Sequence, residues 1–236
     1  MQVIGDDYVS DALVLDRKLV IYLSNYFEGY DIDFQIIRST KVLRDRLISI
    51  GYTHKVYNDE ITILYSNKEM TALVTSENLL KLKDDNNDLF RGTKFRELNL
   101  ELIDTSGIKS TKLLFSKLEC DKLSIAFDTS ECTDMSSMFY DSCIKEIKGL
   151  EKLDTHSVLD MKAMFKDSKT HVLRIENFNT ERCLNFEEMF MNSLAYYLDV
   201  SNFYISDGAN TRYMFRGAKG EITPLKNLDE VITIWQ

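Results

Sequence analysis

Proline is almost missing from this chain: the only one, Pro224, stands close to the C-terminus. With just nine glycines in 236 residues, that scarcity excludes collagen-like and proline-rich linker sequence. Histidine is sparse too. His54, His156 and His171 fall on separate stretches, and no HExxH, GxSxG, GxGxxG or GxxxxGK(S/T) pattern occurs. The plentiful Asp and Glu read as solvated surface. The expectation is a protein that is not an enzyme and carries no cofactor.

Cysteine pairing is lacking as well. Cys120, Cys132, Cys143 and Cys183 include no CxxC pair and no zinc-like spacing, so they are expected to be core thiols and no metal site is expected. Nor does any run approach the ~20 apolar residues of a membrane span. Asp6, Asp7 and Asp11 sit where a secretory signal would be basic. A cytoplasmic location without a membrane partner is expected, in which the thiols stay reduced. Positive charge is in deficit: a net charge of -9 and a pI near 5.0, with both halves acidic, argue against a nucleic-acid partner.

What is abundant is a regular recurrence. Phe90, Phe115, Phe139, Phe165, Phe190 and Phe215 follow one another at intervals of 25, 24, 26, 25 and 25 residues. Recurrence of this kind marks a repeat array. Eight residues after five of the six stands an apolar residue (Leu98, Leu123, Ile147, Leu173, Leu198), and ten after five of them stands another (Leu100, Ile125, Ile175, Val200, Leu225). That pair predicts one short inward-facing strand per unit. Ile103, Phe127, Leu153, Phe178, Phe203 and Leu228 come next, most of them before DTS, DTH or NTE triplets suited to turns. Cys132, Met135 and Met138, then Val158, Met161 and Met164, then Cys183, Phe186 and Met189 recur every third residue. That spacing predicts a short α- or 3₁₀-helix with one buried stripe. A unit of strand, turn and helix cannot bury its stripe alone, so neighbours must stack.

The first 88 residues differ. Apolar spacing predicts a helix over 10–27, alternation a strand in YDIDFQII, and Val42, Leu43, Leu47 and Ile50 a second helix capped by Ser39 or Thr40 and ended by Gly51. Three runs, 52–57, 61–65 and 70–75, predict an antiparallel meander. The polar LKDDNND is expected to be a linker. The fold expected is α+β: an N-terminal α+β domain over 1–83, a linker over 84–88, and a repeat domain over 89–236 whose terminal segment, with Trp235, caps the array.

The 25-residue unit resembles the BspA-like leucine-rich repeats of bacterial surface proteins and mycoplasma lipoproteins, which carry a DTS turn, a DM pair and a closing MF. DTSECTDMSSMF (Asp128 to Phe139) matches in full, DTHSVLDMKAMF and NTERCLNFEEMF follow, and the outer units match in apolar spacing. The resemblance implies a leucine-rich-repeat solenoid over 89–236. Residues flanking its inward strand positions should point outward: Glu97, Asn99, Lys122, Ser124, Glu146, Lys148, Arg174, Tyr197 and Asp199. Mixed charges with an aromatic suit a protein partner. The function expected is a protein-interaction module that captures or inhibits a partner, as a phage or mobile-element inhibitor of a host complex would. Two alternatives stand beside it: a surface adhesin, as the resemblance implies, and a DNA-binding regulator acting through Lys41, Arg44 and Arg46 of a winged-helix-like segment.

Overall fold

Leu19, Val20 and Leu23, at helical spacing in the sequence, form a fully buried stripe on α1 (Arg17–Tyr26) in the computed structural model. The structure describes residues 13–14, 17–26, 32–38, 41–56, 62–66, 71–76, 80–82 and 88–226. The expected caps Ser39 and Thr40, the linker residues 84–87, and the terminal segment with Leu228 and Trp235 lie outside these. The architecture is mixed α/β, mostly strands with few helices.

The predicted alternation appears in β2 (Asp33–Arg38), which buries Phe34 and Ile36. The second helix is α2 (Lys41–Ser49), ended at Gly51 in a left-handed conformation (φ +106°). None of its side chains is buried: Val42 and Ile50 are 77% and 69% exposed and Leu43 37%. Leu43 and Leu47 share a ridge at i, i+4, whereas Val42 lies about 100° round the helix from that ridge. The meander is present as β3 (Thr53–Val56), β4 (Thr62–Ser66) and β5 (Thr71–Ser76), paired antiparallel.

β2 then joins both parts of the chain. It pairs in parallel with β5 on one side and with β7 (Lys94–Asn99) on the other, and β8 (Glu119–Ser124) and β9 (Cys143–Lys148) continue in parallel. The result is one seven-stranded sheet in the order β3-β4-β5-β2-β7-β8-β9. A second small ladder pairs β1 (Leu13–Val14) with β6 (Leu80–Lys81), whose Leu82 amide donates to Asp104 O of the first repeat turn at 2.8 Å. Arg96 grips Asp33 with two hydrogen bonds of 2.7 and 2.6 Å across β2 and β7. A single core runs from Leu19 to Leu225.

Leu98, Leu123 and Ile147 face inward in register, as predicted. A further inward row, Phe95, Cys120 and Ile144, stands three residues earlier. Pairing skips Arg96, Asp121 and Lys145 between the two rows. Each strand therefore kinks at the same place. Beyond β9 the strands shorten to β10 (Tyr197–Leu198) and β11 (Glu221–Ile222), with a single bridge between Val172 and Tyr197.

The helix expected in every unit is absent among the described residues. In its place run overlapping turns: Met138 N donates to Met135 O, Tyr140 N to Ser137 O, and Ser142 N to Phe139 O. Such i, i+3 bonds give the same three-residue stripe as a 3₁₀-helix, which is why the sequence reads as one. The amides in between face outward along the array, since Ser137 and Asp141 adopt left-handed conformations (φ 56° and 51°) and donate to Lys162 O and Lys166 O of the next unit. The same two positions are left-handed in neighbouring units at Ala163 and Asp167, and at Glu188 and Asn192.

Side chains follow the stacking of the backbone. Phe115, Phe139, Phe165, Phe190 and Phe215 form a fully buried column with ring centroids 5.3 to 5.6 Å apart. The threonine of each turn triplet ties one unit to the next: Thr155 Oγ1 donates to Asn179 O at 2.9 Å and accepts from Asn179 N at 2.8 Å. Gly149 (φ +94°) permits a close crossing, because a Cβ there would lie 2.0 Å from Ile125 O.

Candidate functional site

In the first three repeat units the outward strand positions are bonded to one another. Parallel strands in register hold equivalent residues of adjacent units ~4.8 Å apart, so opposite charges meet. Lys122 pairs with Glu97 at 3.8 Å, Lys145 with Asp121 at 2.7 Å and Lys94 with Glu119 at 2.6 Å, while Lys148 reaches past β8 to Glu101, two units away, at 2.6 Å. Asn99 turns its Oδ1 back to Glu101 N, and Glu146 stays exposed. Ser124 departs from its expected surface position: it is only 5% exposed, because β8 ends there and the chain dives towards Ile125.

The remaining three predicted residues, Arg174, Tyr197 and Asp199, line one groove of about 400 Å³. Its floor is a backbone ladder, Tyr196 N donating to His171 O at 2.9 Å and Glu221 N to Tyr196 O at 3.1 Å. That ladder lays the Tyr196 ring on His171, with centroids 4.5 Å apart and planes 3° from parallel. Tyr196 is 69% exposed, Val172 59% and Tyr197 48%. Arg174 is exposed and makes no ion pair among the described residues. Asp199 accepts from Ser201 Oγ and N and from Thr223 Oγ1, all at Oδ1, and the Ser201 bonds hold its carboxyl below the usual carboxylate range.

Flanking-position logic missed His171, Val172, Glu176 and Tyr196. The signal was present in the repeat register. Six residues after each phenylalanine the chain reads Arg96, Asp121, Lys145, His171, Tyr196 and Glu221. Charges at this kink position give way to two aromatic rings, and the groove opens where they do.

Elsewhere Asp154, His156 and Ser157 make a hydrogen-bonded line, Oδ1 to Nδ1 at 2.7 Å and Nε2 to Oγ at 3.0 Å. Its order mimics a nucleophile, base and carboxylate, but the amide following Ser157, at Val158, is spent on Thr155 O. Asp154 also accepts from the His156 amide, as Asp128 accepts from the Ser130 amide in the preceding unit. The line is a decorated repeat turn. Of the four free cysteines, Cys120, Cys132 and Cys183 are buried; burial pushes the Cys120 and Cys183 thiols up to about 12 and Cys132 to about 11. Among the described residues no group of His, Cys, Asp and Glu could hold a metal ion, and no helix is long and apolar enough to cross a membrane.

The stacked turns and the groove fall inside a known sequence family. Residues 84–144 and 142–230 match the family described as Mycoplasma protein of unknown function, DUF285. The chain belongs to this family. No curated protein and no solved structure matches it. In this DUF285 member the two matched segments meet at the start of β9, and the groove lies wholly in the second.

Proposed function

We propose that this chain is a non-enzymatic protein-interaction module. It is a short solenoid of the BspA-like leucine-rich-repeat kind, with an N-terminal α/β part continuing its sheet, and it captures a partner protein through the groove between His171 and Asp199. One observation carries the proposal. On a sheet face where Lys94, Lys122, Lys145 and Lys148 are paired, the outward rows change to His171, Val172, Tyr196 and Tyr197 beside Arg174, which has no ion pair among the described residues. Exposed tyrosines and arginine around a concave, partly apolar surface are what protein interfaces concentrate at their centres. The ion-paired units carry no comparable feature, since their charges already satisfy one another. Free thiols suit the reducing cytoplasm proposed for it.

Affinity capture from a cell lysate with the wild-type chain, Tyr197→Ala and Lys148→Ala tests this. A protein retained by wild type and Lys148→Ala but lost with Tyr197→Ala is expected. Equal retention by all three would reject the groove as the binding surface.

A further inference from the structure

The groove's chemistry points to one kind of partner group. We infer that it receives a cationic side chain, arginine or lysine, from an extended segment of the partner protein; this rests on the interaction function proposed above. Tyr196 presents a ring face that is already immobilised: His171 lies against it at 4.5 Å, and both rungs are fixed by the Tyr196 N to His171 O bond. A fixed ring loses little rotamer freedom on binding, and an aromatic face attracts a cation through its quadrupole.

Two carboxylates complete the site. Asp199 uses Oδ1 for all three of its donors, which leaves Oδ2 without a bond among the described residues. Glu176 lines the same groove, and its side chain has no partner among the described residues. Against them stands one cation, Arg174, so the lining is net negative on a chain of net charge -9. An anionic group would have only Arg174 to meet and two carboxylates to avoid. A cationic group meets two carboxylates and a ring, and Arg174 is then the element that opposes it.

The opposing charge of Arg174 makes the sign of the site measurable. Binding of a short arginine-glycine repeat peptide and of its glutamate-glycine counterpart is titrated by calorimetry at physiological ionic strength, using variants whose melting curves match wild type. The arginine peptide is expected to bind and the glutamate peptide not. Tyr196→Ala should weaken binding roughly two- to fivefold, the worth of one exposed cation–π contact. Glu176→Gln should weaken it too, while Glu146→Gln, which removes the same charge from the exposed ion-paired face, should leave it unchanged. Arg174→Ala should tighten it. Preference for the glutamate peptide, no binding of either, equal loss with Glu146→Gln, or weakening by Arg174→Ala would each overturn the cationic assignment. Loss of the captured protein with Tyr197→Ala would still stand in any of those cases, so the interaction function fails or survives separately.

Discussion

Phe139 and Phe165 stack with their centroids 5.3 Å apart and their planes 2° from parallel, although 26 residues separate them in sequence. Each ring also has a neighbour on its far side, Phe115 for one and Phe190 for the other. The column measures how faithfully one unit repeats the last.

Phe165→Ala removes a fully buried ring from the middle of this column. Neighbouring rings are held by their own backbone bonds and cannot collapse into the gap, so a loss of about 3 to 5 kcal/mol is expected from urea denaturation. A loss below about 1 kcal/mol would mean that the units do not pack on one another through these rings.

Ser137 is held left-handed (φ 56°) so that its amide reaches Lys162 O in the next unit. A non-glycine residue in that conformation costs about 1 to 2 kcal/mol. Ser137→Gly should therefore be neutral or stabilising by up to about 1 kcal/mol, contrary to the usual effect of glycine, whereas Ser137→Val should destabilise. Parallel denaturation curves of the two variants decide it, and a destabilising glycine would refute the strained turn.

Thr155 Oγ1 serves both the amide and the carbonyl of Asn179, while Thr129 Oγ1 serves only the carbonyl of Asp154. Valine in either place keeps the shape and strands the partners. About 1 to 3 kcal/mol is expected for Thr155→Val. Thr129→Val should cost less, and the reverse order in thermal melting would show that these bonds do not tie the units together.

The Cys132 thiol, at about 11 against an ordinary 9.0, stays protonated in the folded chain after the unfolded chain has ionised. With a raised folded value, its contribution is intact below pH 9 and is lost as pH rises towards 11. At 1.36 kcal/mol per pH unit, it removes about 2 kcal/mol between pH 9 and 10.5. Cys132→Val, which copies Val158 of the next unit, should reduce the alkaline loss of stability by about that amount. An identical pH dependence in both proteins would show that the thiol is not buried.

Local chemistry wrote much of this fold into the chain. The DTS and NTE triplets announce their own turns, because an Asp or Asn oxygen two residues before an amide needs no distant partner. The inward pairs such as Leu98 and Leu100, and the meander over 53–76, follow from alternation. The turn rows were misread as helices because Cys132, Met135 and Met138 keep a three-residue spacing under either backbone. Choosing between the two depends on whether alternate amides bond within the unit or across to the next, and no single unit contains that information.

The same division holds for the candidate site. Sequence alone determined the 25-residue register and, with it, that Arg174, Tyr197 and Asp199 flank inward positions. Only tertiary structure decided that β2 carries the N-terminal segment into the same sheet, that Lys122 and Lys148 are consumed by Glu97 and Glu101, and that Ser124 is covered. The physical reason is that ion pairing, stacking and burial are properties of neighbouring rungs. A rung's partners lie about 25 or 50 residues away along the chain and one or two strand spacings away in space, so their effect appears only once the rungs are stacked.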